Sequence, residues 1–345
     1  YRCIFKDNKG WMWLGMNSKG INYFNPDPPF FSSILPFPSS IQENLSIEGR
    51  AVTIDKSGFY WFGNHDGVTR YDRRTSTYQV FRNEKNKEKV LYSNTVRSIH
   101  CDQENNIWIG TGNGVNKFIS KSGKMTFVDQ KDLSTSFYNS INEDKSGNIW
   151  FCTNDSSALY SYNIKTKKYS NIAEHPILNK FKRYASVSYF MEDSKGRFWI
   201  SFTRKSVVCY DTKTNELKYF TAADTSKNRI TSNIVVDIKE DSHGIIWFSS
   251  QQGVSSIDLT NNKIKNYTLQ NGLMGTVSGP LCIDNKNRIW AGINGSLTMI
   301  GEDRTSINYF NKNDGLNSIG FPEHAGITTQ DNKIILPSDL GYQIG

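Results

Sequence analysis

The chain has 345 residues, of which 13% are aromatic and 21% charged, and 41 Lys and Arg against 33 Asp and Glu give a formal net charge of +8. This composition predicts a folded soluble protein, excludes a disordered chain and contains no apolar run long enough for a transmembrane helix. A basic balance favours anionic partners such as acidic glycans, lipid headgroups or nucleic acid. Because no Lys/Arg stripe coincides with a known nucleic-acid module, we expect no nucleic-acid partner.

A seven-residue frame, Asp-x-x-Gly-x-x-Trp, recurs along the chain. Its complete copies begin at Asp7, Asp55, Asp144, Asp193 and Asp241. Two copies have Asn at the fourth position and begin at Asp102 and Asp284. An eighth copy, residues 330–336, keeps the turn and lacks the Trp. Successive Trp residues of the frame are 42 to 49 positions apart. A period in the forties, with several short strands in each unit, is typical of propeller blades.

The repeat that spans residues 95–128 predicts four strands most clearly. Residues 96–101, 106–110, 115–118 and 124–128 are rich in β-formers, and turn-forming residues separate them. One four-stranded sheet cannot bury both of its own faces, so each sheet must pack against the next one around a central axis. We therefore predict an all-β chain that forms a β-propeller of four-stranded blades, with the frame Trp packed between blades. Eight copies are compatible with seven blades or with eight.

In chain order, the repeats begin near residues 1, 49, 95, 138, 186, 234, 278 and 325. The chain opens inside an apparent strand without a Met, and residues 341–345 resemble a third strand that lacks a fourth. We therefore expect residues 1–345 to be one propeller domain from a longer ectodomain. The five Cys are dispersed among different repeats, and we expect them to be small buried hydrophobic residues.

Two sets of loops are expected to share one face of the propeller. Links between second and third strands are tight and Gly-rich, whereas links between repeats are longer and polar, and loops on a rigid scaffold often carry binding residues. The fifth repeat departs from the Gly-rich pattern with Arg204 and Lys205. The candidate ligand-binding residues of the loops are His65, Lys180, Arg183, Tyr184, Arg204, Lys205 and Arg229. Arg and Lys bind carboxylate or sulfate groups, and a Tyr ring can cover a sugar ring.

Arginine also recurs at one point of the first strands. Arg2, Arg50 and Arg97 each lie five residues before a frame Asp, so we expect them to face the central channel, and Arg50 and Arg97 are further ligand-binding candidates. Catalysis is weakly supported, because the five His are scattered and no nucleophile, phosphate loop or metal-type spacing is present. We expect no catalytic residue, no metal site and no cofactor.

The consensus V-x-x-I-x-x-D-x-x-G-x-I-W-x-G-T-x-x-G-V, clearest at residues 96–115 and 234–254, resembles the two-component regulator propeller repeat. Residues 10–26 resemble the segment in which the first propeller of such a sensor gives way to the second, so residues 1–40 are a candidate junction with a preceding propeller. Residues 331–342 resemble the last blade before an immunoglobulin-like domain, although Leu336-Pro337-Ser338 departs from the aromatic-Gly-Gly pattern of the family.

The resemblance implies a non-enzymatic periplasmic sensor from a hybrid two-component regulator of Bacteroides-type bacteria. Such a sensor is the ectodomain of an inner-membrane protein, binds oligosaccharides released from polysaccharides, forms a homodimer and signals to a histidine kinase. An adjacent propeller and an immunoglobulin-like domain would be its partners in the same chain. The basic charge then favours an acidic or sulfated oligosaccharide. The alternatives are a propeller lyase or hydrolase and a protein-interaction scaffold.

Overall fold

The computed structural model describes residues 3–7, 12–16, 20–24, 30–128, 137–154, 159–182, 186–224, 229–293, 296–318, 320–321 and 326–345. Within these ranges the chain consists of β-strands and turns, and its helical segments are short 3-10 turns at Ser39–Asn44, Ile172–Glu174, Leu178–Phe181, Leu269–Asn271 and Lys312–Asp314. The predicted all-β class is confirmed. Among the described residues, no helix has the length and apolarity needed to cross a membrane.

Six blades are each formed by four consecutive antiparallel strands. Blade 1 contains β5 (Ala51–Ile54), β6 (Tyr60–Asn64), β7 (Gly67–Asp72) and β8 (Thr77–Phe81). Blade 2 contains β9 (Val96–Cys101), β10 (Ile107–Thr111), β11 (Gly114–Ile119) and β12 (Lys124–Phe127). Blade 3 contains β13 (Tyr138–Glu143), β14 (Asn148–Thr153), β15 (Leu159–Asn163) and β16 (Tyr169–Asn171).

The next three blades repeat this order. Blade 4 contains β17 (Val187–Glu192), β18 (Arg197–Phe202), β19 (Ser206–Asp211) and β20 (Leu217–Phe220). Blade 5 contains β21 (Val235–Glu240), β22 (Ile246–Ser250), β23 (Gly253–Asp258) and β24 (Lys263–Tyr267). Blade 6 contains β25 (Val277–Ile283), β26 (Ile289–Ile293), β27 (Ser296–Ile300) and β28 (Ile307–Phe310). In blades 1 to 5 and in blade 7, first-strand residues line the channel cavity described below, so the first strand is innermost.

Blade 7 joins the two ends of the chain. Its first three strands are β29 (Ile327–Thr328), β30 (Ile334–Ser338) and β31 (Gly341–Ile344), and its fourth is β4 (Ser32–Ile34). The strand β4 pairs antiparallel with β31, with Ser33 opposite Gln343. The fourth strand that the sequence lacks after residue 345 therefore comes from the N-terminal part of the chain. The ring has seven blades, which settles the choice between seven and eight.

The first copy of the frame lies outside this ring. It forms a separate three-stranded sheet of β1 (Cys3–Lys6), β2 (Met12–Gly15) and β3 (Ile21–Phe24). Ile4, Phe5 and Ile21 are 63%, 62% and 68% exposed, and Trp13 is 38% exposed. The frame Trp residues of the ring are buried instead. The first copy of the frame is thus a repeat that does not contribute a blade to the ring.

The frame folds as a turn that is locked onto its own Trp. In blade 3, one carboxylate oxygen of Asp144 accepts the backbone N–H groups of Ser146 and Asn148 at 2.9 and 2.8 Å. The other oxygen accepts Nε1–H of Trp150 at 2.8 Å. The same Trp-to-Asp hydrogen bond, 2.8 to 3.0 Å long, is present in all seven copies that contain the Trp. The fourth position has positive φ, which Gly and Asn tolerate best.

The last copy of the frame begins one residue earlier than predicted. Thr329 takes the place of the Asp: its hydroxyl oxygen accepts the N–H of Lys333 at 2.9 Å, and its own N–H donates to the Lys333 carbonyl at 2.8 Å. Asn332 then has the positive φ of the fourth position, and the buried Ile335 replaces the Trp. A Thr hydroxyl closes the same turn as a carboxylate because either oxygen accepts a backbone N–H.

The core lies between blades, as predicted from the repeated Trp. Trp61 of blade 1 packs in one cluster with Val96, Ile99 and Phe118 of blade 2. Trp199 of blade 4 packs in the same way against residues of blade 5. An indole buries about 200 Å², so each buried Trp contributes on the order of 5 kcal/mol before entropy is considered.

Neighbouring blades are also joined by hydrogen bonds at the frame turns. Where the next blade has Gly at the fourth position, the Glu that precedes its frame Asp accepts a backbone N–H from the previous blade. Where the next blade has Asn there, the Asn side chain accepts that bond. The pairs are Gln103 with Glu143, Lys145 with Glu192, Ser194 with Glu240, Lys56 with Asn105, Ser242 with Asn287, and Asn285 with Asn332. The choice of Gly or Asn in the frame is therefore linked to the residue before the Asp.

Candidate functional site

The two loop sets share one face of the ring, as predicted. The backbone N–H of Gly112, in the turn between β10 and β11, donates to the carbonyl of Thr95, which precedes β9, at 2.8 Å. The N–H of Thr203 bonds the carbonyl of Ser186 in the same way, at 3.1 Å. We call this surface, made of the turns after second strands and the segments before first strands, the loop face.

Three of the predicted residues lie together on the loop face beside blades 1 and 2. Nη2 of Arg50 and Nε2 of His65 lie 3.4 and 3.7 Å from the two carboxylate oxygens of Glu48. The guanidinium of Arg97 lies 4.3 Å from the ring centroid of Phe137. Burial, followed by the charge of Arg50 and more weakly that of Arg97, lowers the pKa of His65 below 6.5. Two carboxylates, Glu48 and Asp66, accompany the two arginines of this group and offset their charge.

The other predicted cations are spread over separate blades. Arg204 and Lys205 are exposed in the turn between β18 and β19, where the N–H of Arg204 donates to the carbonyl of Asn233 at 3.1 Å. Arg229 is exposed, and its carbonyl accepts Nδ2–H of Asn266 at 3.0 Å. Among the described residues, no hydrogen bond or ring contact joins Arg204 or Lys205 to Arg229.

Lys180 lies away from the channel. Its ammonium is 5.4 Å from the ring centroid of Phe181 and 5.8 Å from that of Tyr219, which belongs to the outermost strand of blade 4. This residue is therefore at the outer rim, because the short 3-10 turns before blade 4 fold over the edge of the sheet. The predicted residues Arg183 and Tyr184, together with Arg2 of the channel series, lie outside the described residues.

A cavity of about 350 Å³ occupies the central channel. In blades 2 to 5 the pairing of the first strand with the second skips one residue, and this β-bulge directs its side chain into the cavity. The four bulge residues are Arg97, Asn139, Ser188 and Val236. The prediction that Arg97 faces the channel is consistent with this geometry. The sequence analysis did not identify Asn139, Ser188 and Val236, which occupy the same position in blades 3 to 5.

Amide and hydroxyl groups line the end of the cavity nearest the loop face. Nδ2 of Asn139 donates to Oδ1 of Asn154 at 2.7 Å and to the carbonyl of Val187 at 2.8 Å. The hydroxyls of Ser188 and Thr203 are 2.6 Å apart. Such groups donate and accept hydrogen bonds together, which is the pattern required by ligands rich in hydroxyl groups.

A buried charged group that the sequence analysis missed forms another part of the channel wall. Nζ of Lys239 lies 3.2 Å from the hydroxyl of Tyr189 and 3.6 Å from Oδ1 of Asp237. Asp237 is fully buried and also accepts the N–H groups of Ile238 and Leu281 at 2.9 and 3.0 Å. Although burial alone would lower it, the charges of Asp237 and Tyr189 raise the pKa of Lys239 above its usual range. The sequence signal that could have revealed this group is the presence of an Asp and a Lys inside one first strand.

The channel offers little support for catalysis or metal binding by His and Cys side chains. His100 lines the cavity, with Nε2 3.5 Å from Oε2 of Glu143, which also accepts the N–H of Gln103 at 3.0 Å. In the described ranges, no three His, Cys, Asp or Glu side chains are grouped so that they could hold a metal ion. All five Cys are free, and Cys152, Cys209 and Cys282 are buried as predicted.

Two cysteines differ from the prediction of burial. Cys3 is exposed on the separate sheet, and Cys101 is half-buried. Burial raises the pKa of Cys101 to about 11, so its thiol is protonated at neutral pH and is a poor nucleophile.

The two-component regulator propeller family matches residues 93–113 and 132–155, which cover β9, β10, β13 and β14. In these two stretches the sequence is similar to two-component regulator propeller repeats. A curated relative, histidine kinase P4 of Formosa agariphila, is 25% identical over 199 residues, which are 56% of this chain and 14% of that protein. The chain therefore spans about one seventh of the curated relative that it matches.

Solved structures show the same fold. The extracellular domain of the hybrid two-component system BT3049 from B. thetaiotaomicron superimposes with a TM-score of 0.78 at 21% identity, over 99% of this chain and 44% of that one. The corresponding domain of BT4673 from the same bacterium gives 0.70 at 18% identity, over 99% of this chain and 46% of that one. A streptogramin B lyase gives 0.65 at 16% identity, over 91% of this chain and 97% of that one. At these identities, sensors and lyases share the architecture.

Proposed function

We propose that this chain is the ligand-binding sensor domain of a hybrid two-component regulator. Its ligand is an oligosaccharide released from a polysaccharide, and the protein to which it belongs passes the signal to a histidine kinase. The proposal is supported by the family of the repeats and by the relative, which is itself a histidine kinase. The likeness to extracellular domains of two hybrid systems supports a periplasmic location.

The observation that carries the proposal is the polar cavity in the channel. Its volume of about 350 Å³ lies in the range of small-ligand sites, which is roughly 300 to 1,000 Å³. Amides, hydroxyls and cations from several blades converge on it, and the rigid ring of first strands holds them in place. A cavity assembled from so many blades can recognise a ligand without a catalytic group.

The charge distribution favours an acidic ligand. Arg50 and Arg97 lie at the loop face, Lys239 lies in the channel wall, and the whole chain carries a formal charge of +8. We propose uronic-acid or sulfated oligosaccharides as the ligand class. In the longer protein, an adjacent propeller and an immunoglobulin-like domain flank the chain, and two copies form a dimer. These partners rest on the resemblance of the sequence and on the fact that the chain spans less than half of the two ectodomains.

Isothermal titration with matched neutral, uronic-acid and sulfated oligosaccharides tests the proposal. We expect the acidic ligands to bind and their affinity to fall as salt concentration rises, because exposed charges are screened. Arg204→Ala/Lys205→Ala tests the cations of the loop face. Its matched control is Lys121→Ala/Lys213→Ala, which removes two cations from turns between third and fourth strands. Binding of neutral ligands alone, or an affinity that is independent of salt, would contradict an acidic ligand.

One observation favours a second function, that of a propeller lyase. His100 lines the channel cavity and is held by Glu143, and the ring has the fold of a streptogramin B lyase. An enzyme of this class would convert its ligand, whereas a sensor would release it unchanged. Prolonged incubation with the bound saccharide, followed by chromatography of the ligand, separates the two functions. His100→Ala would abolish turnover by a lyase.

A further inference from the structure

Lys239 differs from the other residues at its position in the first strands. The equivalent residues are Thr53, His100, Asn142, Met191, Cys282 and Ile327. Blade 5 alone places an ammonium group there, with a buried Asp two residues before it in the same strand. A buried ion pair adds little stability compared with apolar side chains of similar volume, because both charges must be removed from water. The pair therefore suggests a role beyond packing.

The pair presents its positive charge to the cavity. The side chain of Asp237 is completely buried, whereas that of Lys239 is 27% exposed and lines the channel. An ammonium group has three N–H donors. Tyr189 and Asp237 engage two of them, so the geometry leaves the third for a group inside the cavity. The hydroxyl of Tyr189 accepts one N–H of Lys239 and directs its own hydrogen to Asp237, so it helps to hold the lysine in place.

Most carboxylate oxygens near the channel are already engaged. Asp237 accepts two backbone N–H groups in addition to Lys239. Oε2 of Glu143 accepts from His100 and from the N–H of Gln103, whereas its Oε1 has no hydrogen-bond partner among the described residues. Arg97 of blade 2 adds a second cation, and blades 3 and 4 lie between it and blade 5 on one side of the seven-bladed ring. A ligand in the channel therefore meets cations on two sides.

We infer that Lys239 forms an oxyanion subsite inside the channel, which binds the carboxylate or sulfate of an acidic saccharide unit while Asp237 and Tyr189 fix the lysine. This inference rests on the proposed function and places the charge recognition in the channel wall.

The test compares two variants of the whole chain. Lys239→Met alone leaves a buried carboxylate without its partner and can unfold the blade. The informative variant is therefore Lys239→Met/Asp237→Asn, which removes both charges at similar volume, and Tyr189→Phe removes only the hydroxyl. The control is Lys121→Ala/Lys213→Ala, which removes two exposed cations from turns between third and fourth strands. Circular dichroism and the melting temperature establish that each variant is folded.

Two ligand series separate this inference from the proposed function. Galacturonate, galactose 6-sulfate and galactose, followed by ligand-observed NMR, test the subsite with single sugar units. Oligosaccharides of the same sugars, followed by isothermal titration, test the sensor proposal. We expect the acidic ligands to lose about tenfold or more in affinity in Lys239→Met/Asp237→Asn, and less in Tyr189→Phe. The control should bind like the wild type.

Each outcome tests either the oxyanion subsite or the oligosaccharide sensor. Unchanged affinity of the folded Lys239→Met/Asp237→Asn variant for acidic ligands overturns the subsite, even if the domain binds oligosaccharides. An equal loss of binding in the Lys121→Ala/Lys213→Ala control also overturns it. Binding of the acidic monosaccharides without any oligosaccharide binding supports the subsite and overturns the oligosaccharide sensor. The carboxylate and sulfate arms identify which oxyanion the subsite takes.

Discussion

At the scale of single residues, the frame Asp explains why the repeat is so regular. Each frame Asp of the ring is buried and ionisable, which is stable only when donors surround it. Two backbone N–H groups and one indole N–H supply them in every blade from 1 to 6. The additional cation varies and is Arg70, Lys117, Arg197, Arg304 or Arg288.

The blade 3 copy tests this account most directly. Asp144 has no ion pair in the described part of the chain and instead accepts Nδ2–H of Asn148 at 2.7 Å. We expect Asp144→Asn to lower the free energy of unfolding by about 2 to 3 kcal/mol, because an amide turns a donor toward the donors that the carboxylate satisfied. Urea denaturation at pH 7 measures the change.

The matched control is Asp211→Asn. Asp211 also accepts two backbone N–H groups in a turn, from Lys213 and Thr214, but it is near the surface and holds no Trp. We expect its replacement to cost less than about 1 kcal/mol. Equal losses for the two variants would show that the bond to the Trp adds nothing.

A histidine in the segment before blade 4 makes stability depend on pH. Burial lowers the pKa of His175 below 6.5, and its Nδ1 accepts the N–H groups of Ile177 and Leu178 at 3.2 and 3.1 Å. The folded state therefore prefers the neutral ring, whereas the unfolded chain takes up a proton near pH 6.5. The contribution to stability is complete above pH 6.5 and is lost as pH falls through the lowered pKa.

The variant His175→Asn tests this pH dependence, because the amide oxygen accepts the same N–H groups and does not titrate. We expect the decrease in melting temperature between pH 7.5 and pH 5 to be smaller in His175→Asn than in the wild type. His65, whose pKa is also lowered, retains part of the effect in both proteins. An identical decrease in both proteins would show that His175 does not contribute to the pH dependence of stability.

At the scale of elements, neighbouring blades are linked by a side-chain acceptor that takes a backbone N–H of the previous blade. The acceptor is either the residue before the frame Asp or the fourth residue of the frame, and we call this alternation the exchange. Glu240 accepts the N–H of Ser194 at 2.6 Å, and blade 5 has Gly244 at the fourth position. Blade 6 reverses this arrangement, because Asn287 accepts the equivalent N–H and no acid precedes the frame. The sequence displayed both patterns, but only the packed blades show that each replaces the other.

This exchange predicts a rescue. Glu240→Ala should lower the free energy of unfolding by about 1 to 2 kcal/mol, because it leaves the N–H of Ser194 without its acceptor. Adding Gly244→Asn should restore most of the loss, since Asn has positive φ at this position in three other blades of the ring. The control is Gly244→Asn in the chain that keeps Glu240, which imposes the same backbone cost where the N–H of Ser194 already has its acceptor. An equal effect of Gly244→Asn on stability in urea with and without Glu240 would contradict the exchange.

The same scale explains why the candidate cations were only partly placed. The shared loop face was predictable because second-to-third turns and inter-blade links must lie on one side of a blade. The shared loop face brings Arg50, His65 and Arg97 together. Lys180 was assigned to that face from its position in a link, but its 3-10 turn carries it to the rim. The length of a link does not determine its path over the surface.

At the scale of the whole molecule, the ring closes through β4 and a buried tyrosine. The hydroxyl of Tyr342 in blade 7 donates to the carbonyl of Gly63 in blade 1 at 2.6 Å. At this junction blade 1 has Ile54 and Gly58 where other blades have Glu or Asn, so no side-chain acceptor is available for the turn of blade 7. The closure therefore depends on strand pairing and on the packing of Phe31 against Trp290 and Phe310.

Two truncations test the closure. A chain that begins at Phe30 keeps β4 and should melt within a few degrees of the wild type. A chain that begins at Pro38 loses β4, Phe31 and Phe37, and each buried Phe contributes about 3 to 5 kcal/mol. It should melt at much lower temperature and aggregate, because β31 becomes an unpaired edge. Melting curves and size-exclusion chromatography distinguish the two results. Similar behaviour of both chains would contradict closure by β4.

The sequence by itself determined the class of fold, the four-stranded repeat and the place of the Trp. These follow from local chemistry: a turn needs Asp with Gly or Asn, and a sheet with two apolar faces needs neighbours. The sequence also predicted that Arg97 faces the channel, because the repeat assigns equivalent positions to equivalent places.

Only the tertiary structure decided the number of blades, since β4 pairs with a strand more than 300 residues away and its three residues carry no signal of that partner. It also decided which side chains meet in the channel. Tyr189, Asp237 and Lys239 come from two different blades and lie together because first strands surround one axis. Periodicity defines each blade, but closure of the ring defines the site.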